Sequence, residues 1–340
     1  MSRIDIRIAI PVLVLASLTL GAFVWMLVKG QIHTRDETSP VSDQFYAATL
    51  AYKAGQYGDA YGIMVPLAKA GDANAQFNLA FLFAWGRGVP NDRGKVLNWF
   101  RCAARQGDNE AQLRAGIILL GRAVERSFAE NHGADDAGNQ ARLQSEGLYW
   151  LRLAAEQGNS EAQYDLGRRL LRDDPKAALA WFERAANRDH DRAQFELGEI
   201  YRRGKSDSAG PNDGEAAKWY LLAAERGNSS AAAKIGEMLY SGTGASQDFV
   251  KAYTWLNLAA AQSSQHSGVE NYTDHLIQLR DLAAARLTAE QISVAQRFTS
   301  QWHPQRSTAN STVEWREQPA PRRVEKEPAS PAAYPRCELE

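Results

Sequence analysis

Gly204-Lys205-Ser206 ends like a phosphate-cradling loop, in which glycine amides and a lysine ammonium hold phosphate oxygens. That chemistry needs a glycine five positions before Gly204, where the chain has Glu199. It also needs a strand leading into the loop, and the residues there follow a helical period. Phosphate binding is therefore not expected. Gly86-x-Gly88 and Gly242-x-Gly244 read as turns. The six histidines (His33, His132, His190, His266, His275 and His303) show neither a His-Glu-x-x-His pattern nor paired Cys/His spacing. Cys102 falls in the apolar phase of a helix and is expected as a buried, inert thiol. The other cysteine, Cys337, is 235 positions away, which excludes a disulfide-dense scaffold. There is no Gly-x-Ser-x-Gly. No catalytic residue, cofactor or metal is expected, and the chain reads as a non-enzyme.

The bulk numbers agree with that reading. The 340 residues carry 39 Lys and Arg against 40 Asp and Glu, a formal charge of −1. A dedicated nucleic-acid binder carries a strongly basic domain, so that class is excluded. With 44% hydrophobic and 23% charged residues the chain is ordinary for a globular protein.

The elements that must position any site begin with an apolar stretch. Ile8 to Val28 is 21 residues without a charge, IAIPVLVLASLTLGAFVWMLV. A helix rising about 1.5 Å per residue and that long crosses a bilayer core of about 30 Å. Arg3 and Arg7 precede it, Lys29 follows it, and Trp25 stands where an interfacial aromatic would anchor. A cleaved signal peptide is the rival, but its apolar core is normally about 7–15 residues and no small-x-small site follows at once. The expectation is a retained anchor. The two arginines favour a cytoplasmic N-terminus, which in a bacterium places the rest of the chain in the periplasm.

Beyond the anchor the chain repeats. Five tryptophans each open Trp-x-x-x-Ala-Ala: Trp99, Trp150, Trp181, Trp219 and Trp255, each expected as a large buried side chain beside its alanine pair. A second pattern starts at Ala75, Ala111, Ala162, Ala193 and Ala231 and places a small residue five positions on, at Ala80, Gly116, Gly167, Gly198 and Gly236. From each of the first four tryptophans to the next alanine anchor the distance is always 12 residues, whereas from anchor to the following tryptophan it varies between 19 and 39. One joint is fixed and the other absorbs insertions, as expected of helix pairs that stack closely and vary in their loops. Glycines at the small position predict close helix approach, since a mid-helix glycine otherwise costs about 1 kcal/mol. Gly71-Asp72, Gly107-Asp108, Gly158-Asn159 and Gly227-Asn228 predict where one helix stops and the next is capped.

These residues resemble the Sel1-like repeat, a relative of the tetratricopeptide repeat. The clearest unit runs from Ala75 to Gly107 with its Gly86-Arg87-Gly88-Val89 loop and Asp92. Five units cover about residues 72–262, after a looser half unit around Tyr46 to Gly71. The expected fold is all-α: a right-handed α-solenoid of such helix pairs, preceded by one transmembrane helix. The layout is a stub at 1–7, the membrane helix at 8–28, a linker at 29–42, the solenoid at 43–262, capping helices at 263–302 and a disordered Pro-rich tail at 303–340. Thr288-x-x-Gln291 reads as a capping box for the last helix. A long insertion, Val124–Ser145, is read as a loop in the third unit.

The resemblance also implies that the first helix of each repeat lines a concave side. On that basis Tyr164, Arg168, Arg172, Phe195, Glu199 and Arg202 form the candidate partner-binding face, with Arg168 and Arg172 four apart on one helix. An anion or acidic peptide would suit the arginines. The implied function is a non-catalytic, membrane-tethered scaffold for a protein or peptide partner, in cell-envelope assembly or signalling. The alternatives are a structural part of an envelope or polysaccharide-secretion machine, and a hydrolase of cell-wall or β-lactam substrates. The hydrolase role belongs to cysteine-rich relatives with a disulfide in each repeat, and this chain lacks those cysteines.

Overall fold

The computed structural model describes residues 40–127, 134–204, 210–263, 270–305 and 315–318. The apolar stretch 8–28, the stub before it, Lys205-Ser206, His33, His132, His266 and Cys337 lie outside the described residues. Among the described residues there are fourteen α-helices, no strand, and no helix long and apolar enough to cross a membrane. The described residues divide into two compact units, one within 40–91 with 316–318 and one within 92–315.

The first unit holds α1 (Pro40–Lys53), α2 (Tyr57–Lys69) and α3 (Ala73–Trp85), packed in chain order. Phe45 and Ala48 of α1, Met64 of α2 and Phe77 and Leu79 of α3 are fully buried among them. The loop after α3 lies directly on the start of α2. At Gly88, φ is +74° and a Cβ would sit 2.5 Å from the Tyr57 carbonyl carbon, so only glycine fits.

The second unit contains α4 (Arg93–Arg105), α5 (Asn109–Ser127), α6 (Ala134–Glu156), α7 (Ser160–Leu170), α8 (Pro175–Ala186), α9 (Asp191–Arg203), α10 (Asp213–Glu225), α11 (Ser229–Ser241), α12 (Phe249–Ser263), α13 (Glu270–Ala284) and α14 (Ala289–Gln301). From α4 to α13 successive helices pack on one another, and α14 returns onto α12. Each helix therefore buries its apolar face mainly on its chain neighbours, which is the behaviour of a repeat array. The Thr288 hydroxyl accepts from the Gln291 amide at 3.2 Å, and the Gln291 side chain accepts from the Thr288 amide at 2.9 Å, which fixes the start of α14.

The constant spacing has a physical cause at the joint. Asp72, Asp108, Asn159, His190 and Asn228 each accept a hydrogen bond from the anchor alanine amide three positions on. Beside the anchor, Gln76, Gln112, Gln163 and Gln194 each donate from Nε2 to the carbonyl eight positions back, at 2.9–3.2 Å. Those carbonyls belong to the last turn of the preceding helix and lack an intrahelical partner. An inserted residue would break both bonds. That is why the joint cannot vary.

Two expectations are corrected. Trp99, Trp150 and Trp255 are buried, but Trp181 and Trp219 are only half-buried. The residue after each tryptophan is the one that meets the small position: Phe182 against Gly167, Tyr220 against Gly198 and Leu256 against Gly236. The 124–145 insertion is largely helical, because it lengthens α5 and α6 to 19 and 23 residues. Arg101 of α4 closes on Glu146 of the lengthened α6 with two hydrogen bonds, at 2.7 and 2.5 Å, and the Trp150 indole donates to the same carboxylate.

Candidate functional site

The candidate face is carried by α7 and α9, whose starts are set by the caps Asn159 and His190. His190 is fully buried. Its Nδ1 accepts the Ala193 amide, so the ring proton sits on Nε2 and is donated to Glu161 at 2.9 Å. Glu161 also takes Arg192 on both oxygens, at 2.5 and 2.7 Å. Burial pushes the Glu161 carboxyl up, but the His190 and Arg192 contacts outweigh it and hold the group below the ordinary glutamate range.

Tyr164 is buried, stacked on His190 with ring centres 4.9 Å apart. The Arg192 guanidinium lies 4.9 Å from the Tyr164 ring centre and that of Arg168 lies 5.8 Å from it. Arg168 is exposed on the last turn of α7. Helix α7 ends at Leu170, so Arg172 stands in the turn beyond it rather than on a shared helical stripe. Among the described residues neither Arg168 nor Arg172 forms an ion pair.

Glu199 behaves differently from its neighbours. It is buried and accepts from Arg202 at 3.0 Å, Arg203 at 2.7 Å and the Tyr220 hydroxyl at 2.6 Å. Burial pushes its carboxyl up, and the hydrogen bonds from Arg202 and Tyr220 with the two guanidinium charges bring it below the ordinary range. The Tyr220 phenol is pushed up by burial and by the adjacent carboxylate. Phe195 is half-buried with its ring 5.7 Å from that of Tyr220. The structure thus gathers Glu199 and Arg202, with Arg203, into one ion-paired cluster with Phe195 alongside, and Tyr164 with Arg168 into another. A uniform anion-binding patch is not what results. Asp165 and Glu196, which burial pushes upward, add further negative charge beside Arg168. The exposed cations of the candidate face outside any ion pair among the described residues are Arg168 and Arg172.

Among the described residues no group of His, Cys, Asp and Glu is placed to hold a metal ion. Cys102 is buried in α4, as expected, but is disulfide-bonded and is not a free thiol.

A second candidate face was not foreseen. In the first unit Asn74, Phe77 and Asn78 lie on one side of α3 and hold the segment Arg316–Gln318. The available signal was a register one. Three positions after the anchor the later repeats carry Arg114, Asp165, Glu196 and Lys234, and only the first carries an amide, Asn78.

A model of the Sel1 repeat family matches residues 73–108, 136–159, 160–190, 191–228 and 229–264. Among solved structures, the chain is similar to a Sel1 repeat protein from Oxalobacter formigenes, with 20% identity over 72% of this chain and 100% of that one and a TM-score of 0.53. It is also similar to a protective antigen of uropathogenic Escherichia coli strains that displays an SLR fold, with 26% identity and a TM-score of 0.48. That match covers 76% of this chain and 60% of the antigen. No curated protein matched the chain.

Proposed function

We propose that this protein, which carries five Sel1 repeats, is a non-catalytic scaffold that holds a protein or peptide partner on the first-helix face of α7 and α9. One observation carries the reading. On a frame whose carboxylates Glu161, half-buried, and Glu199, buried, are occupied by Arg192 and by Arg202 with Arg203, Arg168 and Arg172 project exposed and outside any ion pair among the described residues, with Arg168 over the Tyr164 ring. A planar guanidinium offers paired donors that suit a carboxylate, so the partner presents acidic groups to Arg168 and Arg172. Phe195, Glu199 and Arg202 form the adjoining border.

The tether is residues 8–28, whose 21 uncharged residues suffice to span a bilayer. The disulfide at Cys102 supports an oxidising compartment, as the periplasm is, because cytosolic thiols are kept reduced. The process served is envelope assembly or signalling at the inner-membrane surface.

The test is crosslinking and pull-down from membranes of cells expressing the full chain. A discrete partner is expected from the wild type, reduced about tenfold or more by Arg168→Glu with Arg172→Glu, since reversing two charges turns attraction into repulsion. Equal recovery of the same partner by that folded double variant would remove the assignment of this face.

A further inference from the structure

Asn78 is the anomaly of α3. Apart from Gln76, whose amide bonds back to Ala68, the buried positions of α3 are Ala, Phe and Leu, yet Asn78 is fully buried with a side-chain amide that α3 itself does not use. Its Oδ1 accepts the Arg316 amide at 2.8 Å and its Nδ2 donates to the Arg316 carbonyl at 2.9 Å. One side chain therefore reads both polar groups of a single residue. An extended residue presents its own N–H and C=O to the same side, so this pairing selects extended backbone and ignores the side chain.

The remaining contacts continue that geometry. Asn74, one helical turn earlier, donates from Nδ2 to the carbonyl of Gln318 at 2.9 Å, two residues along and so on the same side of the segment. Its Oδ1 accepts from the Arg316 guanidinium. That guanidinium lies 3.9 Å from the centre of the Phe77 ring, which forms the floor between the two asparagines. Lys53 of α1 pairs with Glu317 at 2.6 Å. Backbone reading by two amides, with an aromatic floor under one cation, is the chemistry of a peptide site. The segment that fills it lies 238 residues away in sequence from Asn78 and is flanked by Pro319.

The later repeats do not repeat the device. At the positions matching Asn74 and Asn78 they carry Glu110 with Arg114, which pair with each other at 2.8 Å, and Glu161 with Asp165, the former closed by His190 and Arg192. Charged side chains that satisfy one another leave no amide to read a backbone. Only α3 has the neutral pair.

We propose that the α3 face formed by Asn74, Phe77 and Asn78 is a binding site for extended peptide segments centred on an arginine, and that the chain's own Arg316–Gln318 occupies it as an internal competitor. A tethered segment acts at an effective concentration of about millimolar, so a partner peptide of the same chemistry gains the site only by displacing the tail. The site is separate from the α7 and α9 face and has a different preference, an arginine followed by an acidic residue that meets Lys53.

The test uses the full chain in detergent and a fluorescent peptide of residues 313–320, Val-Glu-Trp-Arg-Glu-Gln-Pro-Ala, read by anisotropy. Arg316→Glu in the protein releases the tail without touching α3. The variant is expected to bind the peptide about tenfold or more tightly than the wild type does. Because Asn78→Ala could disturb the fold, the decisive second probe alters only the peptide. N-methylation at the arginine amide removes the hydrogen given to Asn78, and binding is expected to be lost. The Arg168→Glu, Arg172→Glu protein is expected to bind peptide as the wild type does, so this site and the scaffold reading stand or fall separately. Equal affinity of wild type and Arg316→Glu, full binding of the N-methylated peptide, or no saturable binding to Arg316→Glu would each overturn the proposal.

Discussion

Glu199 shows how one residue can be misread by its type. On an inner helix face it reads as a partner-facing acid, yet it is buried and spends its carboxylate on Arg202, Arg203 and Tyr220. The consequence is a pH dependence with a definite sign. Its folded pKa lies below the ordinary 4.5, so the folded protein binds fewer protons here than the unfolded chain does in the acid range. The stabilisation is fully present above about pH 4.5 and is lost as pH falls through the depressed folded value. Glu199→Gln should lower stability at pH 7 by about 1–3 kcal/mol, the range for hydrogen bonds to charged groups, and should flatten the loss of stability between about pH 5 and pH 3. Thermal melts of both proteins across that range measure it. A variant that loses stability on acidification as steeply as the wild type would contradict the assignment. Glu161 shifts in the same direction through His190 and Arg192, so the wild-type curve keeps some acid slope even in the variant.

Between elements, the small position is the decisive contact. A Cβ at Gly198 would lie 2.5 Å from Cε1 of Tyr220, whose ring is fully buried and bonded to Glu199. The ring has nowhere to go. Gly198→Ala should therefore destabilise by about 1–3 kcal/mol through overpacking, although alanine is intrinsically better in a helix by about 1 kcal/mol. Gly121 in α5 supplies the control, because nothing lies within 4 Å of its added Cβ. Gly121→Ala should stabilise by about 0.5–1 kcal/mol, and denaturant titration of the two variants should give opposite signs. This contact was legible in outline. The fixed spacing of 12 residues and the recurring glycine locate the joint, but they do not name the side chain that meets the glycine, which is the residue after each tryptophan. A period of 3.6 places both residues near the apolar stripe, and only the helix crossing decides which one faces the glycine. The glutamines that bond back across the joint follow the first four anchors in the sequence. Their role is not legible from the sequence, because a buried amide looks polar until its carbonyl partner is known.

At the scale of the whole chain, the pairing of Asn78 with Arg316 was the least legible feature. Nothing local in Trp315-Arg316-Glu317-Gln318 announces an extended binder, and a contact across 238 residues leaves no periodic trace. Termination of the array was easier to read, because a stack of helix pairs must end by covering its last apolar face. Here α13 and α14 do so. Leu276, Ala283 and Ala295 are buried against the cluster that contains Trp255, Leu256 and Leu258, and the Trp302 ring stands edge-on to Trp255 with centres 6.2 Å apart. Nearest-neighbour stacking means that loss of a cap is felt first by the repeat beside it. Leu276→Ala should open a cavity in a side chain with no exposure and cost about 2–5 kcal/mol. Leu282→Ala, one turn and a half further along the same helix, is exposed and should change stability by less than about 0.5 kcal/mol. If the array ends at α14 as described, Leu276→Ala should also raise hydrogen exchange in α12 and α13 while α7 to α9 keep wild-type protection. Uniform loss of protection across α7 to α14 would instead mean that the second unit opens only as a whole, and the nearest-neighbour account of its stability would fail.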